Sequence, residues 1–315
     1  MKLWLKKLGP FVGLAFVFVL FTILTPGKFA SVSNLQLMML QTAVVGTAAL
    51  GMTMVIISGG IDLSVGSVIA LTTVVVALLL NAGAPPMLAA GGGVVAGMIC
   101  GSIIGVLITR IRLAPFIVTL GMWGALRGAA KGLANEQMIV TPGTWLTKLL
   151  NSLTDDQSWM LLPPGVWMML IFAVVIGVML KYTKQGRYIF AVGSNEVAAR
   201  ICGVPVERTK ILVYILGSGF AALAGVLQFS YLTVGDPTTA SGMELDIIAA
   251  VVIGGGSLAG GEGTILGSLV GALIMTTVGN GCTKMELPNW VQEIVAGAII
   301  VIAVALDRFR HRGRA

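Results

Sequence analysis

The chain alternates long apolar runs with short polar breaks. Ten apolar runs stand out, at about 9–25, 35–58, 63–81, 87–109, 115–134, 165–181, 211–232, 244–259, 264–280 and 290–306. An apolar helix of about 20 residues matches the roughly 30 Å hydrocarbon core of a bilayer. The pattern predicts an all-α polytopic membrane protein with about ten transmembrane helices. The run at 244–259 is the weakest, being short and ended by glycines. The N-terminal stretch MKLWLKKLGPFVGLAFVFVLFTILTP is basic and then apolar, with no small-residue cleavage site, so it reads as a retained first helix.

Composition agrees. Of 315 residues, 57% are hydrophobic and 10% charged, and the mean hydropathy is +0.97. A soluble domain carries about 25% charge. The net charge of +7 does not point to nucleic acid, because the basic residues cluster at alternate ends of the runs. With the N-terminus placed inside, fifteen of the twenty Lys and Arg fall on the cytoplasmic side. That bias is the ordinary orientation signal, and it predicts that both termini are cytoplasmic. It also makes 135–164 an external loop and about 182–210 a cytoplasmic one. In the external loop, TWLTKLLNSL would set Trp145, Leu146, Leu149, Leu150 and Leu153 on one helical face. That face could lie in the outer interface or pack on its own spans.

Little catalytic material is present. The chain has three scattered cysteines and one histidine, in its basic tail, which argues against a disulfide framework, a zinc site or an intramembrane enzyme. The glycine clusters at 91–93 and 254–263 lack the GxxxxGK[ST] pattern, so the chain is expected to bind no ATP and no other cofactor itself. They suit close helix packing. GGIDLSVGSVIAL (59–71) and GGSLAGGEGTILGSL (255–269) suggest an internal repeat.

One polar island lies among the apolar runs: GSNEVAARICGVPVERTK, 193–210. Asn195 or Ser194 suits a helix N-cap, and Glu196 the positive end. Glu196 and Arg200 stand four apart. Gly203 suits a left-handed C′ position, and Pro205 stops continuation. This predicts a helix of about two turns, from Asn195 to Cys202. A helix that short needs an external hold. Val197, Ala198, Ile201 and Val204 offer apolar knobs, for a cytoplasmic partner or for the chain's own bundle.

Other polar residues sit at span ends or within spans. Asp62 and Ser64 open the third span, either as a cap or as polar lining of a translocation path; Glu262 opens the ninth in the same way. Arg127 could snorkel to an interface or contact a solute or a delivering protein. Glu244 and Asp246 suit the start of a helix by dipole alone. An ion-coupled carrier acting alone would want more buried acids than these.

GMTMVIISGGIDLSVGSVIAL (51–71), AVGSNEVAARICGVPVERTKILVY (191–214) and GMELDIIAAVVIGGGSLAGGEGTILGSLVGALI (242–274), with LAPFIVTLGMWGALRG (113–128), carry a family resemblance. The chain resembles the permease subunits of bacterial ABC importers of the ribose, xylose, arabinose and galactose type, a family whose relatives also serve an autoinducer. The resemblance implies one transmembrane permease domain over 1–315 in the inner membrane. It implies a second permease copy or paralogue, a cytoplasmic ATPase subunit that holds ATP–Mg, and a periplasmic or lipid-anchored sugar-binding protein. It assigns Gly193, Ser194, Asn195, Glu196, Ala198, Arg200, Gly203 and Val204 to coupling with the ATPase. Asp62, Ser64, Arg127 and Glu244 remain candidates for the path.

Overall fold

The computed structural model describes residues 2–151 and 159–311. Within them the chain forms twelve α-helices. In order these are α1 (Lys2–Leu24), α2 (Val32–Ile57), α3 (Val65–Asn81), α4 (Pro86–Thr109), α5 (Pro115–Leu133), α6 (Pro164–Tyr182), α7 (Lys184–Ser194), α8 (Glu196–Ile201), α9 (Val206–Leu232), α10 (Met243–Ile253), α11 (Ile265–Lys284) and α12 (Asn289–His311). Every predicted apolar run carries a helix. Five of these, α2, α4, α6, α9 and α11, are both long and apolar enough to cross a membrane, which makes this a polytopic helical membrane protein. Helix α3 and parts of α1 and α12 are apolar but shorter. Helix α10 spans eleven residues, about 16 Å, so the run at 244–259 is not one full-length span.

The core forms around α2 and α9. Helix α2 is buried almost throughout its apolar window, and α9 lies against α2, α3 and α4. The approach of α4 follows from its small residues. Gly93, Gly97, Gly101 and Gly105 recur every fourth position and are buried. A Cβ on Gly101 would strike the Tyr214 carbonyl oxygen, and one on Gly105 would come 2.9 Å from the Ile211 Cα. Small-xxx-small stripes of this kind let two backbones meet where no water is present to drive association. The opposite face of α4 exposes Val95, Ile99, Ile103 and Val106, a surface suited to lipid.

Two departures from the predicted pattern bear on the site. Between α9 and α10 the backbone is non-helical from Thr233 to Gly242. It begins with β2 (Val234–Gly235), antiparallel to β1 (Ile139–Val140) of the 135–164 loop. The loop itself does not form the expected helix. It makes one 3-10 turn, Trp145–Lys148. Leu146, Leu149 and Leu150 are buried, while Trp145 and Trp159 are exposed. The Leu149 carbonyl accepts from Gly165 N at 2.8 Å, and Leu150 N donates to Ser230 Oγ at 3.0 Å. Those tethers satisfy backbone that a continuing helix would have used. Leu153 lies outside the described residues.

Candidate functional site

The polar island folds as a helix with a cap at each end. Asn195 accepts from Ala198 N at 2.9 Å through its side chain, and Gly203 takes φ +78°. Gly203 N and Val204 N return to the Arg200 and Ala199 carbonyls, closing the helix as a C′ glycine does. The helical residues are Glu196–Ile201, slightly fewer than the predicted two turns. What holds α8 is a small apolar contact among Val192, Ala199 and Val206, with Val204 against it. The hold also includes an ion-pair chain. Glu196 binds Lys210 at 2.6 Å and Arg200 at 3.3 Å, Arg200 reaches Glu207 at 4.0 Å, and Glu207 reaches Arg110 at the end of α4 at 3.9 Å. The Lys210 ammonium holds the Glu196 carboxyl below its ordinary range, with Arg200 adding to the effect and partial burial opposing it.

Most charges of the island therefore orient α8 within the chain. The residues left over are apolar: Val197 is 69% and Ile201 82% exposed, and Ala198 is exposed beside them.

Gly193 and Ser194, at the end of α7, sit at a junction. A Cβ on Gly193 would collide with the Ile57 carbonyl, at the end of α2, and would lie 2.8 Å from Gly261 N. Gly261 N donates to the same carbonyl at 2.8 Å. The two segments that suggested a repeat thus meet beside α7. They also end their helices alike. Gly59 and Gly60 donate to Ile56 O and Val55 O after α2, and Gly255 and Gly256 donate to Val252 O and Val251 O after α10. Gly59 and Gly255 both have positive φ.

The four path candidates form two separate groups. Asp62 and Ser64 are buried at the entry to α3. Asp62 Oδ1 accepts from Ser64 N at 2.8 Å and Ser64 Oγ at 2.6 Å, closing a local turn and no amide within the helix. Its Oδ2 has no partner among the described residues, nor has the nearby Tyr214 hydroxyl.

Arg127 and Glu244 belong to the second group. Arg127 does not snorkel: it is 9% exposed. Its Nη1 donates to the Pro237 and Thr239 carbonyls, at 3.0 and 2.6 Å. Buried non-helical backbone must find partners inside the protein, and Arg127 supplies them to the segment before α10. Thr73 and Asp236 share that task, through Thr73 Oγ1 with the Asp236 backbone and Asp236 Oδ1 with Thr238. Glu244 Oε1 accepts from Trp123 Nε1 at 3.0 Å, and the Trp123 carbonyl accepts from Ser67 Oγ at 2.7 Å.

A cavity lined by Glu196, Arg200, Glu207 and Lys210 lies beside α8; none of the four path candidates lines it, nor a second cavity in which polar and apolar side chains mix. That second cavity, about 380 Å³, lies among α2, α9, α10, α11 and α12 and includes Gln41, Gln228, Tyr231, Asp246 and Asn280. From Val206 to Gln228 is 22 residues of α9, about 33 Å, so the cavity lies at the end of the bundle remote from α8. A signal was present in the sequence: Gln41 and Gln228 stand inside apolar runs, where a polar side chain needs a reason. Asp246, which helix-dipole reasoning left without a special role, lines this cavity.

Five helices able to cross a membrane, non-helical segments packed among them and a small helix presented at one end define a polytopic membrane protein. The family described as branched-chain amino acid transport system, permease component, matches residues 34–304. The chain belongs to that family. It is 37% identical to the ribose import permease protein RbsC of Escherichia coli strain K12 over 312 residues, covering 97% of this chain and 95% of that one. The Bacillus subtilis ribose import permease is 40% identical over 309 residues, covering 96% and 93%. The L-arabinose ABC transporter permease protein AraH of Azospirillum brasilense is 36% identical over 305 residues, covering 96% and 88%. No solved structure matches. The family description carries an amino acid and the relatives' names carry sugars, so membership fixes the permease class and leaves the solute open.

Proposed function

We propose that this chain is the permease subunit of an ATP-driven ABC importer that moves a monosaccharide across the bacterial inner membrane. It works with a second permease copy or paralogue, and ATP–Mg is hydrolysed on cytoplasmic ATPase subunits. A periplasmic or lipid-anchored protein delivers the sugar. Both termini and α8 face the cytoplasm, following the distribution of Lys and Arg. The observation that carries this reading is the exposed apolar pair Val197 and Ile201 on a six-residue helix whose charges are already engaged within the chain. Such a pair suits insertion into a cleft of the ATPase. Movement of α8 would pass through Gly193 to the end of α2 and to the segment that leads into α11, and these two helices also wall the second cavity.

Ile201→Asp tests the reading. Burying an isoleucine is worth about 1.5–3 kcal/mol, so the variant should hold the ATPase subunit roughly 10-fold or more weakly. Its exposed position should leave the chain's own folding intact. Pull-down of the ATPase with detergent-solubilised complex measures this, alongside sugar uptake. Equal ATPase recovery and equal uptake would remove α8 from the contact.

A further inference from the structure

The cavity remote from α8 is built from side chains whose hydrogen-bonding capacity is partly unspent. Eight of its fifteen lining residues carry polar side chains besides Tyr231, although most of the lining surface is apolar. Some of these are engaged elsewhere. Asn280 and Asn34 exchange amide hydrogen bonds at 2.8 and 3.1 Å, and Thr276 bonds Thr42 at 2.7 Å. Gln228 Nε2 donates to Thr239 Oγ1 at 2.9 Å, which leaves its carbonyl oxygen free to face the cavity. Gln41, Tyr231 and Asp246 line the cavity, each half-buried and without a side-chain hydrogen bond to another described residue.

The free groups have a definite chemistry. Asp246 offers two carboxylate acceptors, Gln41 one donor–acceptor amide, Tyr231 a hydroxyl with an aromatic face, and Gln228 an acceptor. Val45 and Met275 supply apolar wall. Asp246 and Glu244 lie two residues apart on α10 and so point to nearly opposite faces; Glu244 turns Oε1 to Trp123 and keeps Oε2 without a hydrogen-bond partner among the described residues, and Asp246 lines the cavity. A metal cation would ask for several oxygen acceptors, yet one carboxylate stands here among amides and a hydroxyl, with Lys284 also in the lining. A compound bearing adjacent hydroxyls fits better. Two hydroxyls can donate to the Asp246 carboxylate while accepting from Gln41 and Tyr231, and the ring carbons can rest on the apolar wall. The volume lies within the span of small-molecule pockets.

We infer that this cavity binds a neutral polyhydroxy solute of monosaccharide size inside the single subunit, with Asp246, Gln41, Gln228 and Tyr231 as its recognition groups. The inference rests on the importer reading and deepens it, because it gives the subunit its own solute site beyond the delivering protein.

The test uses the whole complex reconstituted in proteoliposomes, with D-ribose, L-arabinose, D-galactose and L-leucine as probes. Val45→Cys, in a background free of native cysteines, reports occupancy through its rate of modification by a methanethiosulfonate reagent. One of the sugars should slow that modification several-fold, and leucine should not. Asp246→Asn keeps the side-chain shape but gives up the charged acceptor. It should remove the protection and lower uptake roughly 10- to 100-fold, as loss of a hydrogen bond to a charged group does. Gln41→Leu should act in the same direction, and both variants should recover the ATPase subunit as the parent does. Uptake of a sugar by the parent complex, with no sugar protection and with both variants at parental rates, overturns the site and leaves the importer reading standing. Protection by leucine alone overturns the polyol assignment. A parent complex that takes up none of the sugars overturns the importer reading, and this inference with it.

Discussion

At the scale of single residues, Gly203 separates backbone from contact. Its φ is +78°, and a Cβ built there meets nothing within 4 Å. Substitution there is therefore a test of conformation alone. A β-branched side chain tolerates the left-handed region poorly, at a cost of roughly 1–2 kcal/mol, while asparagine visits it readily. Gly203→Val should fray the end of α8 and lower sugar uptake, and Gly203→Asn should retain most of it. Uptake assays at matched expression decide; equal loss in both would mean that position 203 matters for something other than its backbone. This glycine was legible in the sequence because its signal is local, a helix followed by Gly and then Pro. Arg127 was not. Its partners, Pro237 and Thr239, lie 110 and 112 residues away, and nothing near Arg127 in the sequence distinguishes a snorkelling arginine from one that binds carbonyls.

At the scale of elements, α8 is oriented by charges that titrate. The Glu196 carboxyl is held below its ordinary range by Lys210 and then Arg200. A carboxyl depressed in the folded state contributes its stabilisation above its unfolded pKa, about 4.3, and loses it as pH falls through the lower folded value. With Glu196 part-exposed, the contribution is a few tenths of a kcal/mol, as for surface pairs. A spin label on the exposed Ala198, in a background without native cysteines, should keep constant mobility from about pH 8 to 5 and loosen below that. Glu196→Gln should start looser and show a flatter profile. A mobility change centred near neutral pH would dismiss Glu196 as the anchor. The sequence also announced a helix in every apolar run and the caps of α8, since periodicity and capping are properties of neighbours. It did not announce α7, whose residues read as an ordinary polar loop. Nor did it announce the cavity remote from α8, to which five helices contribute from one to several side chains.

At the scale of the whole molecule, the positions of Trp159 and Arg208 make the orientation measurable. Both are exposed, and the distribution of basic residues puts them on opposite sides of the membrane. Cysteine at 159 should react with an impermeant thiol reagent in intact cells, and cysteine at 208 only after permeabilisation. The reverse result would invert the orientation and remove α8 from the cytoplasm. The eleven residues of α10 bear on how such a molecule is made. A membrane-insertion machine selects segments by length and apolarity, and about 16 Å of helix falls well short of the thickness it selects for. Helix α10 cannot be inserted on its own account. It has to be carried in between α9 and α11 and find its depth afterwards. When it arrives, the receptor for its leading loop is already in the membrane, because α5 with Arg127 is synthesised more than a hundred residues earlier. The docking of that loop onto Arg127 is thus a step that can come only late in the biogenesis of the protein. A chain that fails there should leave the ribosome fully inserted and still be recognised by membrane proteases as unfinished.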